Sequence, residues 1–155
     1  MGADWMRNYY HQIYEYIEKL TYLLMKEDKR GNVVGDESLQ LMDLLVMVLI
    51  DTGSEASIQK LVTETGLKRN DLVAAVKRLT ERNMLRKENA EQDRRIQKLL
   101  LTDMGKEMLA KFRNEKQTQL FELLNEFTFN EEKAILKFLV KIEMKHREIN
   151  SGSVV

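Results

Sequence analysis

Apolar residues recur along this chain first at a helical period and then, briefly, as short strands. Tyr9, Ile13, Tyr16, Ile17, Leu20 and Leu24 share one helical face, which predicts an amphipathic helix over residues 9–24. Glu27 to Gly35 is polar, contains Gly31 and Gly35, and reads as a loop. The most apolar run, Leu39 to Ile50, predicts a second helix, with Asp36 or Ser38 as its cap and Gly53 as its stop. Its 12 residues, with Asp43 among them, are too few to span a bilayer and suit a buried core helix. Ser54 or Ser57 opens a third helix, with Ile58, Leu61, Val62 and Thr65 on its inner side, and Gly66 ends it. A fourth follows after a few residues, with Leu72, Val76 and Leu79 on one face.

The pattern then changes. Met84–Glu88 and Ile96–Leu101 are strand-like, and the polar segment Asn89–Arg95 between them predicts a β-hairpin with a long charged tip. Thr102 caps a fifth helix from Asp103 to about Glu126, whose middle, Arg113–Gln119, is polar all round. Asn130, followed by Glu131 and Glu132, starts a last helix striped by Ile135, Phe138, Leu139 and Ile142. The tail from Ser151 reads as frayed. This order predicts a mainly α fold with a small β-hairpin wing: a winged helix–turn–helix with helical extensions at both ends.

Composition narrows the chemistry. The 155 residues contain no Cys, no Pro and two His. Without Cys there is no disulfide, thiolate metal site, cysteine nucleophile or thiol sensor. At average usage of roughly 5% a chain of this length would carry about 7 or 8 Pro; their absence leaves long helices unkinked. The N-terminus lacks a basic region followed by an apolar core, so no signal peptide is expected and a cytoplasmic location is. No glycine-rich phosphate loop or catalytic constellation is present. His11 and His146 lie on opposite terminal helices without metal-ligand spacing, so neither an enzyme nor a metal or other cofactor is expected.

Two asymmetries place a function. All five Tyr and the Trp fall within residues 5–22 and all five Phe at 112 or later. The rings at the ends suit a packed interface, and an aromatic-free centre disfavours single-stranded nucleic acid, whose bases need rings to stack on. The net charge is zero, with 25 basic and 25 acidic side chains, yet it is unevenly spread. Residues 67–98 hold ten basic side chains (Lys68, Arg69, Lys77, Arg78, Arg82, Arg86, Lys87, Arg94, Arg95, Lys98) against five acidic ones, a local excess of five matched by the same deficit elsewhere. A positive segment that coincides with the helix–turn–helix and the hairpin is a footprint for duplex DNA.

At these residues the chain resembles the MarR family of bacterial transcriptional regulators. The stretch Ile58–Arg69, the continuation through Leu72, Val76-Lys77-Arg78-Leu79 and Asn83-Met84-Leu85, and above all Asp93-Arg94-Arg95 followed by Leu101-Thr102-Asp103-Met104-Gly105 carry the resemblance. It is specific over residues 36–110, and the helix order extends it to nearly the whole chain. The resemblance implies an N-terminal dimerisation helix and loop (1–35), a winged DNA-binding domain (36–103) and a C-terminal linker with dimerisation helices (104–155). It further implies a homodimer on successive major grooves of a pseudo-palindromic operator in double-stranded DNA, in that family most often as a repressor.

By the same resemblance, Arg95 enters the minor groove, Asp93 holds the wing or that arginine, and Arg94 and Lys98 add positive charge to the wing. On the recognition helix the contact positions fall on Lys68, Arg69, Asn70, Asp71 and Ala74, with Lys77 and Arg78 directed to phosphates. Asn70 can bond an adenine edge and Arg69 a guanine or phosphate. Asp71 stands where a small hydroxyl residue is usual, and Ala74 where a longer polar one is common. Asp71 can accept from cytosine N4, or simply stabilise the first turn through the helix dipole. Asn83 replaces the family's usual Gly and tolerates the same left-handed backbone. The family commonly releases DNA on binding a small aromatic or anionic effector; Tyr9, Tyr10, Tyr14 and Met25 could line its pocket, and at helical spacing they equally fit a dimer core. Asp71 and Ala74 motivate the alternative, a helical protein-interaction module that keeps the winged scaffold without specific DNA reading. No membrane partner is expected.

Overall fold

Helix α1 (Asp4–Arg30) runs beyond the residues whose periodicity predicts it, in a computed structural model that describes residues 4–34 and 37–152. It has no Gly or Pro in its length and stops where Gly31 takes a left-handed φ of 79°. The expected loop over Glu27–Gly35 is therefore a correction. Its first residues continue α1, and the rest begins a two-stranded antiparallel ribbon of β1 (Asn32–Val34) and β2 (Glu37–Leu39), with Asn32 opposite Leu39. Val33 and Val34 supply the β-branched residues, but three-residue strands are too short to show a period.

Helix α2 (Leu41–Thr52) is capped at Gln40, which corrects the expected caps: Ser38 belongs to β2 and Asp36 lies outside the described residues. Asp43 in the first turn reaches back so that its Oδ2 accepts from Gln40 N at 3.1 Å. Asp28, in the last turn of α1, accepts from Leu41 N at 2.6 Å. Two of the helix's orphan amides are thus satisfied by carboxylates. Helix α3 (Ile58–Thr65) follows, with Ser57 as the cap, and then α4 (Arg69–Glu81).

Strands β3 (Leu85–Asn89) and β4 (Gln97–Leu101) form the wing, paired from Leu85 opposite Leu101 to Asn89 opposite Gln97. Leu99 N also donates to Ala56 O at 2.8 Å, so the α2–α3 connection adds a bridge at the base of the wing. Helix α5 (Asp103–Leu124) starts at Thr102, whose Oγ1 accepts from Gly105 N at 3.0 Å and donates to Asn83 O at 2.6 Å. Asn83 adopts the left-handed region, φ 57°.

The chain divides into two compact units, Met1–Phe112 and Arg113–Val155. In the first, one apolar cluster runs from Leu39 to Leu109 and joins Leu44, Val46, Met47 and Ile50 of α2 to Leu61, Leu72, Val76 and Leu79 of the helix–turn–helix and to Leu85, Leu99 and Leu101 of the wing. In the second, α5 ends in a short turn and α6 (Phe129–Gly152) begins. Thr128, not the expected Asn130, caps α6: Glu131 N donates to Thr128 Oγ1 at 3.4 Å and Thr128 N to Glu131 Oε2 at 2.7 Å. Hydrogen bonds to the Glu131 carboxyl from the Thr128 backbone N–H and side chain hold it below its ordinary pKa.

Candidate nucleic-acid interface

The turn between α3 and α4 is built by a few local contacts. Ser57 Oγ accepts from Lys60 N at 3.2 Å to start α3, and Gly66 ends it in the left-handed region at φ 66°. Thr65 Oγ1 donates to Leu61 O at 2.7 Å and accepts from Leu67 N at 3.2 Å, which fixes the two residues between the helices. With Leu72, Ala75, Val76 and Leu79 of α4 buried, the helical period turns Arg69, Asn70, Asp71, Val73, Ala74 and Lys77 outward, and Lys68 just before them is exposed too. Arg69 is steadied from α3, its Nη1 donating to Gln59 Oε1 at 3.3 Å.

Arg78 has another employment. Its Nε and Nη2 donate to Asp43 Oδ1 at 3.0 and 2.7 Å, and Asp43 is 1% exposed. Sequence reasoning directs Arg78 to phosphate and leaves Asp43 without a role. A lone acid in an otherwise apolar run was the available signal, because a buried carboxylate requires a partner. One turn further on, Arg82 Nη1 donates to Ser38 O at 2.5 Å and lies 3.8 Å from Glu37. Helix α4, α2 and the β1–β2 ribbon are joined by these two arginines.

In the wing, Asp93 Oδ1 accepts from Arg95 N at 2.9 Å and Asp93 O from Ile96 N at 3.0 Å, while Ala90 N donates to Ile96 O at 2.9 Å. The aspartate thus shapes the turn that carries Arg94 and Arg95, both exposed. Ion pairing separates the ten cations of residues 67–98. Lys77 pairs with Glu81, Arg78 with Asp43, Arg82 with Glu37, Arg86 with Glu88 and Lys98 with Glu55. Among the described residues, Lys68, Arg69, Lys87, Arg94 and Arg95 have no acidic partner, and they fall in two places, the start of α4 and the wing. Those are the two elements that a winged domain presents to a duplex.

The residues suggested for an effector pocket are only partly gathered. Tyr9 borders an open groove of about 320 Å³ along α1 with Gln12, Ile13, Tyr16, Ile17 and Leu20; Tyr10, Tyr14 and Met25 are exposed and do not line it. The Tyr14 hydroxyl donates to Glu18, and that bond with the neighbouring charge pushes its pKa up. His11 Nε2 lies 3.3 Å from Glu15 on its own helix. No group of three or more metal-ligating side chains occurs among the described residues, and no helix among them is long and apolar enough to cross a membrane. Val73, exposed on the outer face of α4, is the one outward residue of that helix's middle that sequence reasoning passes over. Its signal was its absence from the buried stripe Leu72, Ala75, Val76, Leu79.

No family model and no curated protein sequence matches the chain. Solved structures do. The chain is similar to Streptococcus pneumoniae FabT in complex with DNA (15% identity, TM-score 0.75, covering 90% of this chain and 99% of the other). It is similar to a MarR/EmrR family transcriptional regulator from Acinetobacter (20% identity, TM-score 0.66, 89% and 96% covered). A third is Bordetella bronchiseptica BpsR, whose DNA binding is regulated by 6-hydroxynicotinic acid (17% identity, TM-score 0.64, 85% and 98% covered). The helix–turn–helix, the two-stranded wing and the flanking helices thus make up the winged-helix fold of the MarR-family transcriptional regulators.

Proposed function

We propose that the protein is a homodimeric, sequence-specific, double-stranded DNA-binding transcriptional regulator, acting as a repressor that a small aromatic or anionic molecule releases from a pseudo-palindromic operator. The observation that carries this reading is the partition of the cations. Those without acidic partners stand at the start of α4 and in the wing. Arg78 and Arg82 are tied to α2 and the β1–β2 ribbon, and Lys77, Arg86 and Lys98 form only surface pairs, which a phosphate can displace. Lys68, Arg69 and Asn70 suit the groove, Lys77 the backbone, and Arg94 and Arg95 the minor groove beside it. Arg78 contributes by fixing the helix, with Nη1 left for phosphate. Dimerisation is supported by apolar side chains exposed on α1 and α6, such as Ile13, Leu20, Phe138 and Ile142. Effector release is supported by the likeness to BpsR.

A band shift of the full chain against the DNA upstream of its own gene tests this reading at low and at physiological salt. A discrete shifted band that survives competitor DNA supports it. Failure to bind any duplex at low salt favours the protein-interaction module instead, for which Asp71 on the outer face of α4 is the motivating residue.

A further inference from the structure

Lone apolar side chains are common on protein surfaces and mean little by themselves. Val73 is distinguished by where it stands. It is 43% exposed on the outer face of α4, three residues after Asn70, beside Ala74 and four residues before Lys77. Residues three and four apart on a helix are neighbours. The outward face past Asn70 therefore carries two adjacent apolar groups, Val73 and Ala74, with Asp71 beside Asn70, Lys68 and Arg69 at the start and Lys77 further along. The cations at its two ends suit phosphates, and the apolar pair between them suits base edges.

A valine side chain has neither donor nor acceptor. Against a guanine, cytosine or adenine edge it would strip water from polar groups without replacing the hydrogen bonds. Of the base edges in the major groove, thymine alone offers an apolar group, its C5 methyl. Side chains at i and i+3 lie about 5–6 Å apart, and base pairs follow one another at about 3.4 Å, so Asn70 and Val73 span one to two base-pair steps. We propose that Val73 is a specificity-determining residue that packs on a thymine methyl, one or two pairs from the base that Asn70 bonds. Each half-site then carries an A·T pair at that position. The inference rests on the DNA-binding reading and names the base chemistry that this site selects.

The test uses duplexes that the full chain selects from a random pool at fixed salt. Each thymine of the selected half-site is replaced in turn by deoxyuridine, which removes only the methyl. At one position the wild-type protein loses about fourfold in affinity per half-site, the worth of burying about one methyl group. Val73→Ala binds thymine and uracil duplexes equally at that position. The variant folds, because the site is exposed and alanine favours a helix; its thermal melt by circular dichroism checks this. Equal binding of thymine and uracil by the wild type at every position overturns the inference, as does a Val73→Ala variant that keeps the discrimination. A pool that yields no bound duplex overturns it too, by removing the DNA-binding reading beneath it.

Discussion

Arg78 and Asp43 are 35 residues apart in sequence, yet the arginine's Nε and Nη2 converge on a single carboxylate oxygen at 3.0 and 2.7 Å. The other oxygen closes the first turn of α2 through Gln40 N. One buried carboxylate therefore caps α2 and fixes the angle of α4 against it. Arg78→Met leaves that carboxylate short of its partner, and should cost about 3 kcal/mol in urea unfolding, the lower end of the range for a broken buried pair because Arg78 still reaches solvent. Adding Asp43→Leu should restore part of the loss, the remainder being the cap it removes from Gln40 N. Equal stability of Arg78→Met and wild type would show that the pair does not hold the helix.

The wing rests on a smaller contact. Asp93 accepts from Arg95 N, and Asn at that position can make the same bond. Asp93→Asn should therefore keep operator affinity within about twofold. Arg95→Ala should weaken it by about 1–3 kcal/mol, the size of a lost groove contact. Fluorescence anisotropy at one fixed salt concentration measures both. An Arg95→Ala protein with wild-type affinity would remove the wing from the interface.

Gly105 stands where α5 passes Met84. A β-carbon there would lie 2.0 Å from the Met84 carbonyl oxygen, a backbone atom that Thr102 N also uses at 3.1 Å. Gly105→Ala should force the start of α5 away from the wing and cost about 1–3 kcal/mol, despite alanine's better helix propensity. A variant as stable as the wild type in thermal unfolding would mean that the close approach is relieved without strain.

The first turn of α6 should respond to pH. The Thr128 hydrogen bonds lower the Glu131 pKa below its ordinary value of 4.5. A depressed folded pKa gives stabilisation that is present above the unfolded value and is lost as pH falls through the folded one. Amide exchange at Thr128 and Glu131, corrected for the intrinsic rate, should therefore quicken under acid conditions in the wild type. Glu131→Gln should flatten that dependence. An equally steep acid response in the variant would assign it to another group.

What was readable in the sequence follows from how local each cause is. Gly66, Ser57 and the stripe Leu72, Val76, Leu79 act within a turn or two, so the helix–turn–helix could be placed from the residues themselves. The wing strands and the Thr102 cap were legible for the same reason. The α6 cap was readable but misassigned: Thr128-Phe129-Asn130-Glu131 has the capping-box spacing, which outranks an isolated Asn. The β1–β2 ribbon was not readable, because three-residue strands carry no period. The Arg78–Asp43 pair was half readable. Asp43 announced a need for a partner, but which of ten nearby cations would meet it depends on tertiary packing.

On the proposed function, the partnerless cations of α4 and the wing bind duplex DNA and the outward face of α4 selects its sequence. Titrating the full chain into a selected duplex and into a scrambled one, by anisotropy across a series of salt concentrations, tests it most directly. The selected duplex should bind at least about 10³-fold more tightly at physiological salt. Log affinity should fall linearly with log salt, and Lys68→Ala or Lys87→Ala should each reduce the slope by about 0.9. Equal affinity for the two duplexes, or a slope that neither lysine changes, would contradict the account.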